Sequence, residues 1–144
     1  MTKRQDYQSV LRGLTASERT AYLDQHSGLP GPRGNLELIE AAADEGDAAW
    51  FITLSAEADE FRAATGAVGL GRLLAEHEDA DLVRRLHALA ADSRWRVREG
   101  VAMALQRLGD QDPPRLWRLA RTWAEDVDPL VQRAAAAGIA NRDC

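Results

Sequence analysis

An all-α fold is predicted, a short α-solenoid in which helix pairs stack one upon the next. Three observations carry that expectation. Almost every segment has helical apolar spacing and helix-capping residues, and none shows the strict alternation of a half-buried strand. The chain also matches itself at a fixed shift: moved by 34, Leu82 falls on Leu116, Arg84 on Arg118, Leu89 on Trp123, Asp92 on Asp126, Val97 on Val131, Ala102 on Ala136 and Leu105 on Ile139. Self-similarity at this period marks units that cannot bury their apolar faces alone and must stack. Finally, Gly66, Gly69, Gly71, Gly100, Ala102 and Ala104 fall in the second helices of those units. Glycine costs a helix about 1 kcal/mol relative to alanine, and close approach of neighbouring backbones would offset that cost.

The elements follow in order within a single domain, residues 1–144. Residues 1–46 form an N-terminal helical segment, in which Thr15-Ala16-Ser17-Glu18 is a capping box and Gly28 follows the helix end. The LPGPRG stretch at 29–34 forbids helix, Asn35 caps LELIEAAADE, and Gly46 stops it. Three helix-turn-helix units then span 47–78, 79–110 and 112–143. Asp79 or Asp81 caps LVRRLHALAA, Gly109 is placed just past RVREGVAMALQRL, and Asp112 precedes two prolines at a first helical turn. Asp128-Pro129 repeats that device.

Composition bounds the function classes. With 144 residues, 45% hydrophobic and 28% charged, the chain is long enough to bury a core without staples. The N-terminus has no apolar run suited to a signal peptide, no stretch could span a membrane, and a cytoplasmic location is expected. Cys144 stands alone, which precludes an intramolecular disulfide. The net charge of −5 disfavours a general nucleic-acid binder, yet Leu82–Trp123 holds nine arginines against four acids.

The unit with Asp92, Val97-Arg98, Val101-Ala102 and Leu105 resembles the HEAT repeat of the armadillo-type helical superfamily. The pattern covers residues 47–143, although the third unit has Gln132 in place of the arginine and the first has Arg62-Ala63 there. The resemblance implies a right-handed superhelix, and GAVGLGRLL through WRVREGVAMALQRLGD is similar to small bacterial HEAT-repeat proteins. In such stacks the Val-Arg arginine reaches an aspartate or helix terminus in an adjacent unit, which implies an inter-repeat structural role for Arg98 with Asp92 or Asp126. A second stretch, TWAEDVDPLVQRAAAAGI at 122–139, is similar to segments of the HEAT-like DNA glycosylases of alkylation repair. That likeness implies an aromatic and basic cradle with an assisting carboxylate, carried here by Trp95, Glu99, Trp123 and Arg133.

Candidate surface residues are Arg94, Trp95 and Arg96 at a turn and helix start, and Trp117, Arg118 and Arg121, where an exposed indole beside two guanidiniums suits stacking and phosphate contact. Trp123 occupies the inward position of Leu89 and is expected in the core. Glu76-His77-Glu78-Asp79-Ala80-Asp81 reads as a solvated loop with an N-cap, and neither metal nor cofactor is expected. No catalytic constellation stands on its own. The expected function is a non-enzymatic protein-interaction scaffold, with DNA binding or repair as the alternative. The Ala-rich final helix lacks the polar outer face of a terminal repeat, so a second copy, a further segment or a partner protein is expected to cover it.

Overall fold

The computed structural model describes residues 1–140 and contains helices α1 (Lys3–Arg12), α2 (Ala16–His26), α3 (Leu36–Glu45), α4 (Ala48–Ser55), α5 (Glu60–Glu76), α6 (Ala80–Ala90), α7 (Trp95–Gln111), α8 (Pro113–Ala124) and α9 (Pro129–Ile139). No strand occurs among the described residues. The molecule is a helical solenoid.

Local chemistry sets the boundaries. A helix leaves its first N–H groups without partners, and short polar side chains at the N-cap satisfy them. Thr15 does so for α2 in a reciprocal capping box with Glu18, and Asn35, Asp47, Asp59, Asp79, Asp112 and Asp128 serve the later helices except α7, whose N-cap Arg94 makes no side-chain capping bond. Asp79, not Asp81, caps α6. A second capping box, Thr2 with Gln5, opens α1, a helix that the apolar pattern alone does not pick out. Gly109 does not end α7. It lies buried inside the helix, which runs on to Gln111 and stops where Asp112 turns extended ahead of Pro113, because proline disfavours a helical residue before it.

Helices α3, α5, α7 and α9 lie side by side as a central row. Alongside it, α4 packs on α5, α6 on α5 and α7, and α8 on α7 and α9, while α1 covers α3 and α2 leans on α5. Phe51, Leu54, Leu70, Leu74, Leu86, Leu105 and Leu116 are fully buried between the rows, each contributing roughly 1.5–3 kcal/mol of transfer free energy. The small residues sit where the row is tightest. A Cβ on Gly71 would run into the backbone of Ala104, and one on Gly100 would lie 2.8 Å from the Ala64 carbonyl oxygen, so α5 and α7 approach as closely as glycine allows.

Candidate interaction surface

The turn before α7 shows where its arginines go. The Asp92 carboxylate accepts from the Arg94 N–H at 2.9 Å and from the Arg94 guanidinium through Nε and Nη2, both at 2.9 Å. The Arg94 guanidinium and then its N–H hold the Asp92 carboxyl below the usual carboxylate range, against the opposing pull of partial burial. The remaining nitrogen, Nη1, donates to the carbonyls of Glu57 at 3.0 Å and Ala58 at 2.8 Å in the loop between α4 and α5. Arg94 is thereby the side chain that ties this turn to the preceding helix pair. Arg98 acts more locally, donating to the Asp92 carbonyl at 2.8 Å rather than to the carboxylate of Asp92 or Asp126. Gln132 repeats that contact 34 residues on, with Nε2 at 2.6 Å from the Asp126 carbonyl. Asp126 itself accepts the Asp128 N–H and lies 2.6 Å from His87 Nε2, and the His87 contact, then the N–H, hold its carboxyl low.

A few other arginines finish helix ends. The last carbonyls of a helix have no intrahelical partner and carry partial negative charge, which suits a guanidinium. Arg72 donates to the Ala43 and Asp44 carbonyls and Arg115 to the Leu74 carbonyl at 2.7 Å, while Arg107 donates to the Glu40 carbonyl within α3. At the end of α3 the Asp44 carboxylate gathers Arg4, Gln8 and Arg107 within 2.9 Å. Burial pushes its carboxyl up, but the hydrogen bonds from Arg4, Gln8 and Arg107 outweigh it and hold the group below its ordinary value. This hub joins α1, α3 and α7.

The six candidate surface residues therefore do not form one patch. Arg94 is committed to the neighbouring loop. Arg96 pairs with Glu60 at 3.0 Å, and its guanidinium lies 4.5 Å from the Trp95 ring centroid. Trp95 is 52% exposed. Arg118 stands 3.6 Å from Glu78 beside a cleft between α6 and α8. Trp117 and Arg121 lie elsewhere, in a groove of about 420 Å³ between α8 and α9, whose floor and walls are Ala120, Ala124, Ala135, Ala136, Ile139 and the Trp117 ring. Trp117 is 39% exposed, and Arg121 and Gln132 edge the groove. The sequence pattern marked Trp117, Arg121 and the Ala-rich final helix separately, but not Ala120 and Ala124 of α8 or the groove they share with that helix.

A family model for HEAT repeats matches residues 48–140. The chain belongs to that family. No curated protein and no solved structure matches it. In the HEAT array the aromatic that the repair-glycosylase likeness needs at Trp123 is 2% exposed, its ring edge-on to His87, and is closed to a stacked base. Among the described residues no three His, Cys, Asp or Glu side chains gather to hold a metal, and no helix is long and apolar enough to cross a membrane. Asp79 is spent on the N-terminus of α6 and Glu78 stands beside Arg115 and Arg118.

Proposed function

We propose that this protein is a non-enzymatic scaffold whose three HEAT-like units, 47–78, 79–110 and 112–143, present the α8–α9 face to another protein. The groove walled by Trp117 carries this reading. A concave apolar surface flanked by a tryptophan and an arginine has the composition of a binding hot spot, where rigid aromatic area and a bidentate cation are gained at small entropic cost. The DNA alternative draws less support, because Arg94, Arg96, Arg107 and Arg115 are engaged by acids or helix ends and the chain carries −5 overall.

Site-specific photo-cross-linking tests the proposal. With a benzophenone side chain at position 121, protein adducts should form in cells, should be absent with the same group at exposed position 84, and should disappear on Trp117→Ala. No adduct at 121, together with duplex DNA binding whose affinity falls log-linearly with salt, would transfer the function to nucleic acid.

A further inference from the structure

The α8–α9 groove stands in a definite relation to the interior of the array. Moved back by 34, Trp117, Ala120, Arg121, Ala135 and Ile139 fall on Val83, Leu86, His87, Val101 and Leu105. Helices α6 and α7 use that surface to hold α8 and α9. Leu105 fills the space that a Cβ on Gly138 would need, and His87 meets the edge of Trp123 and lies 2.6 Å from Asp126 Oδ2. The end face thus repeats a face already built to receive a helix pair, with all five residues changed: Val83 becomes Trp117, which raises one wall, Leu105 becomes Ile139, and three further changes reshape the floor and edge. Leu86 becomes Ala120 and Val101 becomes Ala135, which removes apolar volume and opens the groove. His87 becomes Arg121, a permanent cation where the internal contact has a carboxylate opposite.

Resting on the scaffold reading, we infer that the α8–α9 face docks an amphipathic helical hairpin of a partner protein in the geometry of the next HEAT unit. The hairpin brings bulky apolar side chains over Ala120 and Ala135, a small residue against Ile139, and an acidic residue in its turn opposite Arg121. A second copy of this chain does not meet those requirements. In each copy the hairpin of matching shape, α8–α9, already has its inward side against α6 and α7, and α5 is covered by α2 and α3 on its other side.

The test uses the full chain, isotope-labelled, with a synthetic peptide of residues 112–140 as probe. Saturable shifts should be confined to the Trp117 indole N–H and the Ile139 methyls. They should weaken roughly tenfold when the peptide carries Asp126→Lys, as loss of a charge-assisted contact requires, and recover when that peptide meets Arg121→Glu in the chain. A free hairpin is only marginally helical, so residues 111–140 are also appended directly after Cys144, where linkage supplies a high effective concentration. The thermal midpoint should then rise by roughly 3 °C or more, and Asp126→Lys in the appended copy should abolish the gain. If neither peptide nor appended hairpin alters Trp117, or if binding ignores the charge at 126, the inference is overturned. It also fails if the unextended chain doubles its mass with concentration in light scattering, since the face then takes a second copy. Absence of protein adducts at position 121 would remove the scaffold reading while leaving hairpin docking measurable.

Discussion

At the scale of single residues, chemically alike arginines separate by what they leave behind when removed. Arg94→Ala would strip donors from the Asp92 carboxylate and from two loop carbonyls, and should cost about 1–3 kcal/mol in urea unfolding. Arg84→Ala, whose ion pair with Asp81 is solvent-exposed, should stay within about 0.5 kcal/mol. Acid gives a second readout. Asp44, Asp92 and Asp126 are all held below the ordinary carboxylate value, so the folded state binds their protons more weakly than the unfolded chain does. The stability they contribute is complete above the unfolded value of about 3.9 and is lost as pH falls through the lower folded values. The urea midpoint should therefore decline below about pH 4, and Asp44→Asn should lower the neutral plateau while blunting that decline. Sequence marked Asp92 and Asp126 as equivalent because both sit at the same register of the repeat. It had no means of finding the targets of Arg94 or Arg72, since a backbone carbonyl in a distant loop has no residue identity to read.

At the scale of helices, glycine placement decides whether neighbours can meet. Gly71→Ala puts a methyl against Ala104 and should lower stability by about 1–3 kcal/mol, whereas Gly13→Ala, at negative φ with its nearest obstacle 3.7 Å away, should change it little. Calorimetric midpoints of the two variants would separate these outcomes. Caps, proline positions and period made eight of the nine helices among the described residues legible, because N-cap chemistry is local and each signal lies within a few residues of the boundary it sets. Helix α1 escaped because its apolar side chains are few, though Thr2 and Gln5 carried the signal. Gly109 misled for a tertiary reason: burial holds it in helical conformation where a solvent-exposed glycine would have ended the turn.

At the scale of the whole molecule, stability should be graded along the array. Helices α5 and α7 have neighbours on both sides in the central row, and α9 has one, so amide exchange in α5 and α7 should be slowest and α9 should open first. Uniform protection across α5, α7 and α9 would mean that the array opens only as a unit. The α8–α9 groove was half legible from sequence, as an Ala-rich final helix short of charge. Its depth was not, because that comes from the loss of Leu86 and Val101 side-chain volume at equivalent positions, which matters only once the helices are placed. One contact also sets the mechanics. Arg107 extends from α7 past α5 to the end of α3, so two successive inter-helix junctions share a single strut. In a stack joined only by nearest neighbours each junction flexes independently. Here the first two are braced together, so opening either one strains the same Arg107 contact.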